Sequence, residues 1–405
     1  MRLGSGFEVL GLRDFRLVFG AALASLLGDG IVPVALAFAV LDLTGSATDL
    51  GIVLAARTVA LVGSLLVGGV IADRVSRRTV MMAADIVRLL GQAAIGVLLV
   101  SGHATVAELA VSQALLGAGT GFFNPASSGL IPTIAGERLQ QATSLRGMAM
   151  ATGNIIGPAI GGVLVVAISP GAALLLDAGS YAVSALLLAR VGRDLPGGEP
   201  QRFLAELRDG FAQVRSRSWL WGTVVALSVV NMASAAFIVL GPLVAKRQLG
   251  GAGAWALILA LMGVGALIGG SVLLRVVPRR PLLVGTLIGI VPVGQTALLA
   301  IPAPLALIGA AALLAGVGEM AFNTLWETTL QQQIPPAVRS RVSSYDWFGS
   351  LALRSIGLIA IGPFAAAAGA STALYACAGL EFVMVVSLLW IRDIRTLAPR
   401  PVTSA

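Results

Sequence analysis

The stretch Gly69-Val-Ile-Ala-Asp73-Arg74-Val-Ser-Arg77-Arg78 places four charged side chains within six residues, between two long apolar segments. Charges this dense are too costly to lie in hydrocarbon, so we expect a very short loop at a membrane surface. A weaker copy, Gly270-Ser-Val-Leu-Leu-Arg275-Val-Val-Pro-Arg279-Arg280, follows about 200 residues later. The two copies together predict a membrane protein built from two related halves.

The composition agrees with a membrane protein. Hydrophobic residues make up 57% of the chain and charged residues 11%, whereas soluble domains carry about 25% charged residues. A spanning helix needs about 20 apolar residues, and the 405 residues contain about twelve such runs, two of them at 105–125 and 343–367. The runs are continuous instead of alternating, which favours helices over a barrel. We therefore predict an all-α membrane protein with twelve transmembrane helices.

The basic excess of the chain has a topological explanation. The chain has 27 lysines and arginines against 19 acidic residues, and most of the basic ones lie in or beside every second loop and the tails. This positive-inside pattern fixes orientation during insertion, so a nucleic-acid partner is not expected. We predict a multi-pass monomer with both termini in the cytoplasm. The preference for arginine over lysine points to a bacterium, and hence to its inner (cell) membrane.

The sequence lacks the motifs of an enzyme or an ATP-driven pump. It contains no GxxxxGK[ST] phosphate loop. With one histidine and one cysteine it cannot build a conventional zinc site. We therefore expect no enzyme activity, no cofactor and no metal. The expected partners are a small-molecule substrate, protons and the lipid bilayer.

The chain divides into two halves joined by a linker. We predict an N-terminal bundle at 1–190, a cytoplasmic linker at 191–218, and a C-terminal bundle with a cytoplasmic tail at 219–405. In the linker, Gln201–Arg215 has an amphipathic pattern that is typical of a helix lying on the inner leaflet.

Short motifs recur in the two halves in the same order, 199 to 205 residues apart. Phe123-Asn124 has a counterpart in Phe322-Asn323, and Gly157-Pro158 has one in Gly362-Pro363. Two parallel repeats of six spans are typical of one transporter architecture, whose binding site lies between the halves near the bilayer midplane.

These residues resemble the major facilitator superfamily. Gly69–Arg78 reads GxxxDRxxRR, which is similar to the signature cytoplasmic loop of the family. Gly153–Gly162 reads GxxxGPxxGG, which is similar to the helix 5 motif of its drug antiporters. Gly28-Asp29-Gly30 and Leu176-Asp177-Ala178 resemble the third drug:proton antiporter group, which includes macrolide and enterobactin exporters. The resemblance implies two pseudo-symmetric six-helix bundles and export in exchange for protons.

The Gly69–Arg78 loop predicts a cytoplasmic gate. Asp73 can accept from backbone N–H groups at a helix end, or pair with Arg74 or Arg77, and so latch the cytoplasmic side until inward opening. Gly69 and Arg78 complete the motif. The plainer interpretation is that the arginines only fix topology.

The helix 5 motif predicts a hinge. Gly153, Gly157, Gly161 and Gly162 allow a neighbouring helix to approach closely, while Pro158 frees a backbone carbonyl and bends the helix. Tight packing alone is the plainer interpretation, and the sequence does not separate the two.

Polar residues inside the spans are the candidates for proton coupling and for the substrate cavity, because each is costly unless it is paired, hydrated or neutralised. Asp29, halfway along helix 1, and Glu319, in the middle of helix 10, are predicted to exchange protons. The alternative is a static ion pair of Asp29 with Arg57 or Arg354. The full predicted set is Asp29, Arg57, Gln113, Asn231, Glu319, Asn323 and Arg354.

Four further charges receive less weight, and one position departs from the family. Gln113 stands where the resembled family has a helix 4 arginine that assists proton coupling, and a neutral amide cannot bias a carboxylate in the same way. Asp85 and Arg88 are predicted to form a structural pair that supports the loop. Asp177 and Glu381 rank lower, because helices 6 and 12 lie peripherally in the resembled fold.

We predict a secondary active exporter that exchanges protons for a small amphiphilic compound, such as a drug or antibiotic, by alternating access. An exporter of a siderophore or a self-made metabolite would have the same architecture, and a lysophospholipid flippase is a further alternative. A membrane sensor without transport is disfavoured, because the chain has no sizeable soluble segment.

Overall fold

A computed structural model describes residues 5–192, 214–276 and 278–398, without the side chains of residues 5–7, 66–74, 336–341, 343 and 344. The described chain is helical almost throughout. It divides into two compact units, Met1–Gln201 with Trp255–Leu257, and Arg202–Ala254 with Ile258–Ala405. The amphipathic helix predicted in the linker 191–218 falls almost entirely on residues outside the described part.

The first unit contains six long helices, which follow a 3₁₀ turn at Ser5–Gly11. Their starts carry standard caps: Ser76 accepts from the Thr79 N–H before α3, and Thr105 forms a capping box with Glu108 before α4. The helices are α1 (Arg13–Thr44), α2 (Ala47–Arg74), α3 (Arg77–Val100), α4 (Val106–Ala135), α5 (Leu139–Ala167) and α6 (Pro170–Ala189).

The second unit has more interruptions. Two of its apolar stretches, Ser218–Leu249 and Pro281–Leu298, are each broken into two helices, which the sequence did not predict. Pro292 lies in the first turn of the second piece of the latter stretch and has no N–H to donate to the preceding turn. The helices are α7 (Ser218–Ala233), α8 (Ala235–Val244), α9 (Ala252–Leu273), α10 (Pro281–Ile288), α11 (Val291–Leu298), α12 (Leu305–Gln333), α13 (Pro336–Ala368), α14 (Ala370–Ser387) and α15 (Arg392–Thr396).

The helices are long and apolar enough to cross a membrane. In the described part of the chain, 11 helical stretches meet this condition by length and composition. One of them, Val106–Ala167, contains both α4 and α5, separated only by the 3₁₀ turn Gly136–Arg138. It therefore accounts for two crossings, and the count agrees with the twelve helices predicted from the sequence.

Two helices extend beyond the apolar runs identified in the sequence. The apolar run of helix 4 was expected to end at residue 125, but α4 continues to Ala135. Asn124 and Pro125 end the apolar run in the sequence, yet Ala126, Leu130 and Ile134 form a buried face at helical spacing. Likewise α13 begins at Pro336, seven residues before the predicted span, since proline suits the first turn of a helix.

Glycines bring α1 and α5 into contact along their backbones. A Cβ atom on Gly153 would come within 2.7 Å of the Leu26 carbonyl oxygen, and one on Gly161 within 2.9 Å of the Ile31 carbonyl oxygen. Gly157 lies between them on the same face of α5. Only glycine permits such an approach, which is the packing expected of small residues at helix interfaces.

The remaining residues of the predicted hinge are also buried in α5. Pro158 lies inside this helix, and Gly162 follows one turn later. α5 nevertheless continues unbroken from Leu139 to Ala167. The motif therefore serves close packing, and its role as a hinge remains a prediction.

The second unit repeats this kind of packing. A Cβ atom on Gly357 of α13 would lie 3.0 Å from the Cα of Met232 of α7, and one on Gly269 of α9 would lie 2.7 Å from the carbonyl oxygen of Val317 of α12. Both units thus use glycines where two helix backbones meet, as expected of related halves.

We predict that Gly157→Ala destabilises the protein. A Cβ there meets the backbone of Gly30, which cannot move aside as a flexible side chain would. Overpacking of this kind costs about 1–3 kcal/mol of the free energy of unfolding, measurable by thermal denaturation of the purified protein. Gly179→Ala is the matched control, because nothing lies within 4 Å of its Cβ position. Equal stabilities of the two variants would contradict the close backbone contact.

Candidate functional site

Asp29 of α1 contacts polar side chains of three other helices. Its Oδ1 accepts hydrogen bonds from Nη2 of Arg57 in α2 at 2.8 Å and from the hydroxyl of Tyr181 in α6 at 3.0 Å. Its Oδ2 lies 3.9 Å from Nη1 of Arg88 in α3. Of the two pairings considered from the sequence, the structure shows the one with Arg57.

The glycines beside Asp29 explain how α1 can lie this close to its neighbours. A Cβ atom on Gly28 would lie 2.8 Å from the Cβ of Ser180 in α6, while Gly30 lies against Gly157 of α5. Successive residues of a helix point about 100° apart. The two glycines therefore face two different helices, and the Asp29 carboxylate is held between its partners.

Arg88 is buried at the centre of the first unit. Its guanidinium lies 4.6 Å from the ring centroids of both Phe123 and Tyr181, and it donates to Asp85 one turn earlier. The other Asp85 oxygen accepts from the Ser184 hydroxyl at 2.6 Å. The predicted ion pair of Asp85 and Arg88 is therefore present. Through Arg88 this ion pair also lies next to Asp29, a connection that the sequence did not suggest.

Asp177 of α6 is buried inside the same unit. Its Oδ2 accepts from Nε2 of Gln92 at 2.7 Å, and the Ser180 hydroxyl lies 3.4 Å from its Oδ1. It also interacts electrostatically with Arg57 and Arg88. Asp177 is therefore buried within its own unit, because α6 packs closely against α1 and α3.

We call Asp29, Arg57, Asp85, Arg88 and Asp177 the Asp29 cluster. It contains three carboxyl groups and two guanidinium groups, so one negative charge is in excess when all five are ionised. An unbalanced buried charge is costly. One proton on any of the three carboxyl groups would remove the excess charge and make the cluster neutral. Asp29 and Arg57 keep 24% and 27% of their side chains exposed, which makes them its accessible members. In the described chain no group of side chains is arranged to hold a metal ion.

Gln113 of α4 is fully buried, and neither of its side-chain amide atoms has a hydrogen-bond partner in the described part of the chain. One turn later, a Cβ atom on Gly117 would lie 3.1 Å from the Cα of Arg57. Gln113 is therefore close to the interface of α2 and α4 that carries Arg57, but it makes no hydrogen bond to the Asp29 cluster.

The candidates in the second unit are less connected. Asn231 donates to the Leu227 carbonyl of its own helix at 2.9 Å. Glu319 and Asn323 lie one turn apart on α12, and both are exposed. Arg354 of α13 interacts electrostatically with Glu319, although within the described residues no direct ion pair joins the two.

The arginines at the start of α3 bind backbone carbonyls of their own unit. Arg77 Nη1 donates to the Gly129 carbonyl of α4 at 2.6 Å, and Arg78 Nη2 donates to the Ala189 carbonyl at the end of α6 at 2.5 Å. They thereby tie the turn between α2 and α3 to two further helices. The gate itself remains a prediction, because the side chains of its other residues lie outside the described part: Gly69, Asp73 and Arg74.

Comparisons with known proteins agree on one family. A family model described as Major Facilitator Superfamily matches residues 18–357. The chain is 28% identical to the multidrug efflux pump Tap of Mycolicibacterium fortuitum over 374 residues, which cover 87% of this chain and 89% of that protein. It is 28% identical to the enterobactin exporter EntS of Escherichia coli O127:H6 over 407 residues, or 96% and 94% of the two chains.

A solved structure shows the fold. The crystal structure of the peptide transporter POT in complex with sulfate superposes with a TM-score of 0.77 at 13% identity and covers 96% of each chain. The predicted all-α fold of two six-helix bundles is thereby confirmed.

We predict that Arg88→Met strongly destabilises the protein. The substitution keeps an unbranched side chain but leaves Asp85 buried without its cation, which costs about 3–5 kcal/mol of the free energy of unfolding. Thermal denaturation of the purified protein would measure the loss. Adding Asp85→Asn should recover part of it, because a neutral amide can still accept from Ser184. A double variant no more stable than Arg88→Met would contradict direct pairing.

Proposed function

The chain belongs to the major facilitator superfamily, and on this premise we propose that it is a secondary active exporter. It would move a small amphiphilic organic compound out of the cell in exchange for protons, by alternating access. The similarity to an efflux pump and to a siderophore exporter over most of the chain supports export. The excess carboxyl group of the Asp29 cluster is the observation that carries the proton exchange.

The proposed orientation follows from the basic residues. The turn between α2 and α3, with Arg77 and Arg78 at its end, would lie in the cytoplasm together with both termini. The protein would then be a multi-pass protein of the bacterial inner membrane, and export would run from the side of this turn to the opposite side.

Asp29 offers one oxygen for which two ligands can compete. Its Oδ1 already accepts from Arg57 and Tyr181, whereas Oδ2 is 3.9 Å from Arg88, beyond hydrogen-bond distance. A donor group of a solute and a proton would therefore exclude one another at Oδ2. Such mutual exclusion is what an exchanger needs: the solute binds from inside once the proton has left, and a proton from outside displaces it.

Glu319 is the proposed second exchanging group. Its side chain is exposed, has Arg354 as an electrostatic neighbour, and lies one turn from Asn323, which could position a solute. We keep Gln113 of the first unit and Asn231 of the second as further candidates for solute contact. Movement between the two access states would use the Asp73 gate and the glycine motif of α5.

Asp29→Asn should abolish uphill transport. The amide keeps the shape of the side chain but cannot bind and release a proton, so a pH gradient can no longer drive efflux. In proteoliposomes with an imposed pH gradient we expect ethidium transport at the level of empty vesicles, while exchange without a gradient persists. Asp49→Asn, on the first turn of α2, is the matched control and should transport like the parent. Gradient-driven efflux by Asp29→Asn would refute the mechanism.

The relation to EntS makes siderophore export the second candidate function. The excess negative charge of the Asp29 cluster favours a cationic substrate over a siderophore, because it would attract cationic amphiphiles and repel acidic catechols. We therefore expect the parent protein to transport ethidium and not enterobactin in the same vesicles. Transport of enterobactin alone, together with accumulation of a catechol in a deletion strain, would establish the siderophore function instead.

A further inference from the structure

Two buried acids occupy equivalent positions in the two units. In the first unit Asp177 of α6 accepts from Gln92 of α3 at 2.7 Å, and in the second unit Glu381 of α14 accepts from Thr296 of α11 at 3.4 Å. The two residues of each pair are 85 positions apart. Adding 204 to the residue numbers of the first pair gives the second, and this offset falls within the 199 to 205 residues that separate the internal repeats.

The surroundings of Glu381 differ from those of Asp177. Glu381 is 3% exposed, and its Oε1 has no hydrogen-bond partner in the described chain. Its one hydrogen bond, from Thr296, is long. Asp177, in contrast, has the guanidinium groups of Arg57 and Arg88 near it.

No cation is available to the Glu381 carboxyl from the described elements packed against it. α7, α8, α10, α11 and the 3₁₀ turn after α14 contain no acidic or basic residue. The described charges of α13 are engaged elsewhere, Asp346 with Trp326 and Arg354 with Glu319. Cys377, one turn earlier on the same helix, is the remaining titratable neighbour.

The internal repeat explains why the charges are missing. Between the repeated loop residue Arg78 and Gln92 the first unit carries Asp85 and Arg88, whereas the corresponding stretch of the second unit, between Arg280 and Thr296, contains no charged residue. The break between α10 and α11, at Gly289 and Ile290, lies in this stretch without charges. Interrupted helices within a membrane are tolerated only inside the protein or along a water-filled cavity.

An ionised carboxylate with one long hydrogen bond and no cation would be far costlier than a neutral acid at the same place. We propose that Glu381 carries a proton in this conformation and is a proton-binding site of the second unit, with Thr296 as its positioning residue. This goes beyond the proposed function, in which protons exchange at Asp29 and Glu319.

Infrared spectroscopy of the full-length protein in lipid nanodiscs at neutral pH tests this proposal without a solute or a gradient. The difference spectrum of parent minus Glu381→Gln should contain the C=O band of a protonated carboxylic acid. Glu327→Gln, an exposed acid on α12, is the matched control and should give a carboxylate signal. A carboxylate signal from Glu381→Gln would overturn the proposal.

Two variants that keep the acid provide an independent readout. Glu381→Asp moves the carboxyl away from the threonine hydroxyl, and Thr296→Val removes that hydroxyl at nearly constant volume. Each should retain the acid band and shift its frequency, because the hydrogen bond to the carboxyl has changed. An unshifted band in both variants would show that the protonated group is another residue, and it would overturn the assignment even if Glu381→Gln fails to fold. A failure of transport by Asp29→Asn would leave this result unaffected.

Discussion

The ion pair of Asp29 with Arg57 determines how the first unit is assembled. Charges in an apolar bundle are tolerated only beside opposite charges or hydrogen-bonding groups, so α1 and α2 must place these two side chains within contact of each other. Arg88 and Tyr181 extend the contacts to α3 and α6. Much of the remaining polar chemistry of the unit is arranged around this pair, including the Asp85 carboxylate that balances Arg88.

Close helix packing makes these contacts possible. Because Gly28 and Gly30 have no side chains, α6 and α5 can pack directly against α1. Gly117 likewise allows α4 to pack against the backbone of Arg57. Side chains as short as aspartate reach across a helix interface only when the backbones are this close. The glycines therefore serve the electrostatics of the unit as well as its packing.

Much of the architecture could be predicted from the sequence. Continuous apolar runs identify the spans, the Gly69–Arg78 motif identifies the family, and the charge of Asp29 identifies a polar site in helix 1. The network around Asp29 could not be predicted, because the contacts of Arg88 and Asp177 depend on the rotation of α3 and α6 about their axes. Hydropathy reports apolar length and carries no information on that rotation.

The helix breaks and ends were missed for a related reason. The run around Pro292 is as apolar as an unbroken span, so the break between α10 and α11 leaves no signal in hydropathy. The continuation of α4 beyond residue 125 was missed because Asn124-Pro125 is typical of a helix end, although the following residues Ala126, Leu130 and Ile134 form a buried helical face. In both places the local backbone conformation around a proline decides whether the helix continues, and average hydropathy does not report that conformation.

The glycine contacts also have a mechanical consequence. α1 and α5 touch backbone to backbone, as do α2 and α4, so we expect each of these two helix pairs to move as one rigid body. The ion pair of Asp29 and Arg57 joins one helix pair to the other. A proton on Asp29 would weaken this ion pair and leave the packing within each helix pair intact. A change of one charge would then become a relative movement of the two helix pairs.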